Sequence, residues 1–374
     1  AGLSVNVASL HRHLVSRFEP QVHEFLQANK KVVTKSSDVS ANDGVPENPA
    51  LEYIPEAFSV AFNRYKQKFV DKKVESNLVV LFVVQEGETN TVDQRMIEFA
   101  LWDKYNIPVV RMSLTRAHSQ LKVDENNGAL FVKADESSPR QEVALVYFRA
   151  GYAPTDYADG YDGIEWQARA TMEQSRATKS PSLGYHLAGT KKVQQELARP
   201  GTLERFFPSA EEKPIVDSLR GAFAGLYSLG DDATEEDLVV IKECLSGMEG
   251  RYVLKPQREG GGYNFYGENL AAKLRENIVE SDGELKLGEK LAEFILMERL
   301  FPPNQRAILL RSGKVEGTGD SISELGCFGA VVASESGEIV HNKYSGFLLR
   351  TKFSNVDEGG VASGFATLSS PYLC

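Results

Sequence analysis

The sequence predicts two kinds of architecture in one chain, a mostly parallel α/β unit and an antiparallel-rich α+β body. Three observations carry this. Residues 77–180 alternate apolar strands with amphipathic helices, and NLVVLFVVQ (77–85) is apolar almost throughout, as in strands covered on both faces. After Gly250 the pattern changes to strands separated by turn residues. Residues 1–27 and 58–69 instead show the fourfold apolar spacing of helices.

The elements follow in order. Residues 1–27 read as one helix, with Leu10, Leu14, Phe18 and Val22 predicted to form a buried stripe. His11 and His13 lie two apart on it and do not face each other, so surface or interface histidines are expected rather than metal ligands. Residues 28–55 are polar and turn-rich, the pattern of a long loop or insertion. Phe58, Phe62, Tyr65 and Phe69 mark a helix whose aromatic stripe should enter the core. In 77–180 a helix carrying Met96, Ile97, Ala100 and Leu101 follows the first strand. Strands IPVVRMS (107–113), ALFV (129–132) and EVALVYF (142–148) come next, then a helix over 165–178. In parallel sheets ligands bind beyond the carboxyl ends of the strands. Glu86–Gln94 and Arg149–Tyr152 are the polar segments at those ends. Residues 181–250 are helix and connection. Strands are expected at 252–255, 293–298, 306–311, 327–333, 338–341 and 346–350, with ESGE between Ala333 and Ile339 as a hairpin turn. The predicted division is a helical part over 1–75 with its insertion at 28–55, an α/β domain over 76–180, and an α+β domain over 181–374.

Composition narrows the function classes. The 374 residues are 42% apolar and 25% charged, an ordinary globular balance with a net charge of −10. No basic field is available for broad nucleic-acid binding. Cys244, Cys327 and Cys374 are few and far apart, which predicts a reducing, cytoplasmic compartment rather than a disulfide scaffold. The longest apolar run, Leu78–Val84, is far too short to span a bilayer, and no signal-peptide pattern is present. The chain opens on Ala1 in mid-pattern, a hint that an N-terminal part is processed or absent, or exists as a separate piece.

The most informative stretch is RYVLKPQREGGGYNFYG (251–267): a strand ending in Lys255, a glycine-rich loop, then a helix near Glu268. Gly260, Gly261 and Gly262 leave backbone N–H groups unshielded, a possible anion cradle, although a plain hairpin reads the same. The spacing is neither that of a P-loop nor of the dinucleotide fingerprint. Glu259 inside such a loop would repel a phosphate unless a cation such as Mg²⁺ bridged them. Glu324, in SISELGCFG, is expected between strands, either at an exposed turn or recruited to a metal; Asp320 is placed in the preceding turn. Lys191 and Lys192 follow a Gly-Thr turn at a helix start and are either phosphate-neutralising or solvated. Arg350 and Lys352 flank Thr351 on a strand, so both project from one face and need anions opposite. Met297 and Glu298 end an apolar strand that suits either an adenine edge or the core. Arg149 suits a bidentate grip on a carboxylate, and Glu88, Asn90 and Gln94 suit an amino-acid ligand. No pattern of a covalent nucleophile is present.

These residues carry a family resemblance. LVYFRAGY, LAGTKKVQQELARPG, AGLYSL, VLKPQREGGGYNFYG, ILMER, ISELG and LLRTK with EGGVASG resemble eukaryotic-type glutathione synthetase, an ATP-grasp ligase. The likeness runs over nearly the whole chain and is weakest in 28–55 and 120–165. It implies an ATP-grasp nucleotide-binding unit with an inserted substrate-binding α/β domain, and a homodimer. It implies ATP and Mg²⁺ as cofactors, and γ-glutamylcysteine and glycine as substrates joined through an acylphosphate. By the same resemblance Lys255, Asn264 and Gly260–Gly262 hold phosphates, with Tyr266 nearby and Lys191 reaching the nucleotide. Met297 and Glu298 line the adenine slot, Glu324 and Lys352 match nucleotide contacts, and Glu259 is a Mg²⁺ ligand. Arg149 grips the dipeptide, with Glu88, Asn90, Gln94 and Tyr152 around it. Arg350 holds a carboxylate at the glycine end, with Lys255 and Lys191 its partners in offsetting charge. Glu358, Val361 and Ala362 belong to a closing loop whose small residues favour glycine. The family's acidic-x-Asn-x-x-Ser-x-Ser stretch, with further metal ligands, falls before Ala1, which leaves Glu259 an incomplete site. The competing readings are a related ligase using another acceptor such as β-alanine, and a non-catalytic binding protein.

Overall fold

A computed structural model describes residues 1–28, 44–70, 77–133, 140–257, 262–281, 284–361 and 364–373. Helix α1 (Gly2–Arg17) stops at Phe18 and α2 (Glu19–Ala28) starts afresh, so the single helix expected over 1–27 is two. The expected stripe is not buried either, for Leu10, Leu14 and Phe18 are 55%, 40% and 45% exposed. The buried positions are Gly2, Ser4 and Ala8. Small residues decide the packing here: a Cβ on Gly2 would stand 2.7 Å from the Val92 carbonyl oxygen, so α1 approaches its neighbour backbone to backbone. Helix α3 (Ala50–Phe69) begins well before Phe58, which corrects the loop expected over 28–55; residues 29–43 lie outside the described residues. Its stripe of Phe58, Phe62 and Tyr65 is buried.

The α/β sheet follows: β1 (Leu78–Val83), α4 (Thr91–Tyr105), β2 (Val109–Met112), α5 (Leu114–Gln120), β3 (Leu121–Val123), β4 (Leu130–Val132), β5 (Gln141–Phe148), α6 (Ile164–Gln174) and β6 (Thr178–Ser180). The strand order is β2-β1-β5-β4-β3, with β6 also on β5. β1 is parallel to β2 and β5, and β6 to β5, while β3 and β4 join antiparallel. The helix expected to reach 178 ends at Gln174 because 178–180 enter the sheet. Alternation along β1 divides the core. Val79, Leu81 and Val83 pack with Leu114, Ala168 and Met172, while Val80 and Phe82 pack with Phe58, Ile97 and Leu101. Each such buried Val, Leu, Ile, Phe or Met side chain contributes about 1.5–3 kcal/mol relative to an exposed one. From β1 the chain crosses through α4 to β2 on one side, and β5 pairs on the other. The carboxyl ends of β1 and β5 are therefore a topological switch point.

The middle of the chain builds α7 (Leu183–Ala188), α8 (Lys191–Ala198), α9 (Lys213–Arg220), β7 (Leu226–Ser228), α10 (Glu235–Glu243), β8 (Tyr252–Pro256), β9 (Phe265–Tyr266), α11 (Gly267–Arg275), the hairpin β10 (Ile278–Ser281) and β11 (Glu284–Leu287), and β12 (Phe294–Glu298). Strands β7-β12-β8-β9 form one antiparallel sheet. Leu254 and Leu296 pack with Ile241, Leu270 and Leu274, which puts α10 and α11 on the sheet.

Strands β13 (Gln305–Arg311), β14 (Lys314–Ala333), β15 (Ile339–Phe353) and β16 (Thr367–Ser369) follow as a second antiparallel sheet. The strands expected at 327–333, 338–341 and 346–350 are thus parts of two long ones joined at ESGE, where Gly337 takes φ +84° and its N–H donates to the Ser334 carbonyl at 3.0 Å. Glu324 and Asp320 are corrected with them. Both lie within β14, not between strands or in a turn, because the ladder runs unbroken from Ser321–Cys327 to 347–353 and shifts register only after Cys327.

Contacts divide the chain into one unit of residues 1–182, 307–353 and 366–374, and another of 183–306 and 354–365. These boundaries differ from the expected 1–75, 76–180 and 181–374. Residues 1–75 do not stand apart, since the α3 aromatics complete the β1 core. The β14–β15 hairpin joins them, with Asn48 donating to the Phe347 carbonyl at 2.7 Å.

Candidate functional site

The expected site residues fall on both units. In the first, Glu88 follows β1 and Arg149 follows β5. The Arg149 backbone N–H donates to the Val83 carbonyl at 2.8 Å, which fixes where its side chain emerges. Arg149 Nη2 meets Glu88 Oε1 at 2.7 Å, and both side chains are largely sheltered. Arg149 Nε is buried without a hydrogen-bond partner among the described residues, a donor left over for something else. Gln94 stands behind Glu88. Its Nε2 donates to Glu88, its Oε1 accepts from Arg111 at 2.9 Å, and it is only 3% exposed. Asn90 caps α4, accepting from the Asp93 N–H at 3.3 Å and donating to Asp93 Oδ2 at 2.6 Å. Tyr152 is exposed on the segment after Arg149. The arrangement offers a guanidinium and a carboxylate side by side at the switch point, the chemistry that matches the carboxylate and ammonium of an amino acid.

The same unit holds Glu324 and Arg350 directly opposite each other in the β14–β15 ladder, joined as an ion pair. Lys352 lies two residues on, facing the same way, while Thr351 between them is buried and shares a 2.9 Å hydrogen bond with Ser323. The anion that the two cations require is therefore Glu324, at least for Arg350.

In the second unit, Lys255 sits near the end of β8 opposite Ile295. Glu259, Gly260 and Gly261 lie outside the described residues. Gly262 takes φ +78° with open space where a Cβ would be. An open cavity of about 620 Å³ is lined by Pro256, Gln257, Gly262, Asn264, Glu293 and Phe294, among others. Gln257, Glu293 and Phe294 were not singled out from the sequence, where nothing separates them from ordinary strand-end residues. Asn264 Nδ2 donates to Glu358 at 3.0 and 3.2 Å, so a residue expected near phosphate touches one expected near the acceptor. Beside them Tyr266 lies 5.1 Å beneath the Arg299 guanidinium, and Arg299 pairs with Asp357 at 2.8 Å. Burial, with the Glu358 charge, pushes the Tyr266 phenol up. Val361 is half-buried, and Ala362 lies outside the described residues. Met297 is half-buried in the middle of the sheet between Leu226 and Val253. Glu298 accepts from the Gly225 N–H at 3.1 Å, tying β12 to the start of β7.

Lys191 opens α8 behind Thr190, as the Gly-Thr turn predicts. Lys192 bonds Asp232 at 2.5 Å, Arg199 joins at 2.7 Å, and its own N–H donates to Gln257 at 3.2 Å. Burial alone would raise Asp232, but Lys192, Ser228 and Arg199 outweigh it and hold the carboxyl far below its ordinary range. Lys192 is thereby a structural anchor, not a free cation. Among the described residues no group of three or more His, Cys, Asp or Glu side chains could hold a metal, and no helix among them is long and apolar enough to cross a membrane.

Comparison with known proteins converges on one family. A profile described as eukaryotic glutathione synthase, ATP binding domain, matches residues 1–373. The chain is 38% identical over 372 residues to a chloroplastic glutathione synthetase of Solanum lycopersicum, covering 100% of this chain and 59% of that protein. It is 33% identical to a glutathione synthetase of Dictyostelium discoideum (99% and 71% covered) and 44% identical to that of Homo sapiens (79% and 57%). The chain thus spans about three fifths of the plant relative's length. A solved structure of a glutathione synthetase-like effector from Globodera pallida, in its apo form, superposes with a TM-score of 0.66 at 19% identity, covering all of this chain and 68% of that one, and shows a shared fold.

Proposed function

The chain belongs to the eukaryotic glutathione synthase family, and from that premise we propose that it joins γ-glutamylcysteine to glycine, using ATP, on an ATP-grasp framework. The observation that supports the reading most directly is the cavity of about 620 Å³ beside Gly262 and Asn264, immediately after the strand that carries Lys255 next to its end. That volume suits a nucleotide-sized ligand.

A carboxylate is a poor acyl donor because its leaving group would be oxide. Transfer of the γ-phosphoryl of ATP to the cysteinyl carboxylate gives an acylphosphate and ADP. The glycine amine then attacks the carbonyl carbon, phosphate leaves, and the amine proton is released. The residues position and neutralise rather than bond covalently. In this reading Lys255 and Lys191 offset phosphate charge, and the amides of Gly260, Gly261 and Gly262 with Asn264 and Tyr266 cradle it. Met297 and Glu298 flank adenine, and Glu324 and Lys352 contact the nucleotide. Arg149 takes the dipeptide α-carboxylate and Glu88 its ammonium, with Gln94 setting Glu88 in place and Asn90 and Tyr152 around the dipeptide. Arg350 holds a substrate carboxylate, and the small residues Val361 and Ala362, with Glu358, favour glycine as acceptor. Magnesium enters only through Glu259, the described residues supplying no cluster for it, and no step is routed through it. A cytoplasmic homodimer completes the proposal.

The test is phosphate release from ATP with each substrate omitted in turn. Release should require both γ-glutamylcysteine and an amine acceptor, glycine surpassing β-alanine, and Lys255→Ala should lower it roughly a hundredfold. Phosphate release indifferent to the dipeptide would overturn the reading; preference for β-alanine would transfer it to the related ligase.

A further inference from the structure

We infer that Asp156 is a positioning residue that sets the geometry of the Arg149–Glu88 crevice for its ligand, an inference that rests on the dipeptide reading above. Asp156 lies seven residues beyond Arg149. Its Oδ2 accepts the backbone N–H groups of Gly151 at 2.9 Å, Tyr152 at 3.2 Å and Ala153 at 3.2 Å. Its Oδ1 accepts from Gln85 Nε2 at 2.8 Å. Gln85 leaves β1, and its carbonyl accepts the Glu88 N–H at 3.4 Å. One carboxylate therefore fastens the segment that follows Arg149 to the turn that presents Glu88. The ring closes through the Arg149–Glu88 pair itself at 2.7 Å.

The surroundings leave the fastened segment little freedom. Gly151 takes φ +92°, and a Cβ there would stand 2.9 Å from the Tyr157 hydroxyl. That hydroxyl donates to the Gly151 carbonyl at 3.0 Å, and the Tyr157 ring stacks on Trp166 of α6 at 4.2 Å. Converging amide donors on a carboxylate make strong, charge-assisted bonds. The Arg149 and Ala150 N–H groups still reach the Val83 carbonyl, but the β1–β5 ladder goes no further, because both strands end before these segments. Without Asp156, the guanidinium and the carboxylate lose a common reference, and a ligand that needs both at once loses affinity while one bound elsewhere does not.

The experiment measures binding of γ-glutamylcysteine and of ATP, separately, by calorimetry to the wild-type chain, Asp156→Ala, Asp156→Asn, Arg149→Ala and the Arg149→Ala/Asp156→Ala double variant. Asp156→Ala should weaken the dipeptide roughly tenfold or more and leave ATP within about twofold. Asp156→Asn should recover most of the loss, since its carbonyl oxygen can still collect the amides and its NH₂ can bond a rotated Gln85. In the Arg149→Ala background Asp156→Ala should add little. Dipeptide affinity unchanged in a folded Asp156→Ala, or dipeptide and ATP weakened equally, would overturn the positioning role and leave the functional reading standing. A wild-type chain that binds ATP but no dipeptide would overturn that reading, and the inference with it.

Discussion

Cys244 and Cys327 show how far environment separates two side chains of one type. Cys244 is fully buried in the core beneath β8 and β12, and burial, with Glu243 and Glu249 nearby, pushes its thiol up to about 12. At pH 8 about one thiol in ten thousand there would be thiolate, and that one is out of reach. Cys327 is exposed on β14. Iodoacetamide at pH 8 should modify Cys327 within minutes and leave Cys244 untouched until denaturant is added, as peptide mass mapping will show; equal labelling of both in the native protein would contradict this burial. Position was readable from the sequence for Arg149 and Glu88, placed after apolar strands where the structure pairs them. It was not where register in a ladder decides. Glu324 reads as either an exposed turn residue or a metal ligand in SISELGCFG, and only the register that sets it against Arg350 reveals an ion pair.

Among elements, the approach of α3 to β15 depends on one glycine. Gly346 takes φ +101°, and a Cβ there would lie 2.6 Å from the Ala50 Cβ and 2.6 Å from Asn48 Oδ1. Neither neighbour can yield: Ala50 is fully buried at the start of α3, and Asn48 bonds the Phe347 carbonyl at 2.7 Å. Gly346→Ala should therefore destabilise the first unit by roughly 2–4 kcal/mol, combining left-handed strain with overpacking. Denaturant titration checks this, and a midpoint within error of wild type would remove the close approach from the account. The sequence marked most strands and helices through periodicity, and the ESGE hairpin through its turn residues. It hid the lengths of β14 and β15, because exposed strands with a mixed polar pattern look like several short ones. It misled on α1, where the apolar spacing of Leu10, Leu14 and Phe18 suggested the buried face but small residues form the contact.

At the scale of the molecule, the nucleotide and dipeptide residues proposed here sit largely on different parts of the chain. Lys191, Lys255, Gly262, Asn264, Tyr266, Met297 and Glu298 belong to the unit of 183–306, whereas Glu88, Arg149 and Tyr152 belong to the unit of 1–182. A ligand slows amide exchange most where its contacts suppress local opening, and at about 100 times its dissociation constant it stabilises what it binds by ~2.7 kcal/mol. ATP alone should therefore protect β8, β9 and the first turn of α11, with a smaller effect at Glu324 and Lys352. γ-Glutamylcysteine alone should protect 84–94 and 149–156, which include the Asp156 amide collar. The two patterns are separable by hydrogen-exchange mass spectrometry because the peptides share no residues. Protection by ATP confined to 84–94 and 149–156 would reverse the assignment of the two ligands, since neither the Arg149–Glu88 crevice nor the glycine loop can be both sites.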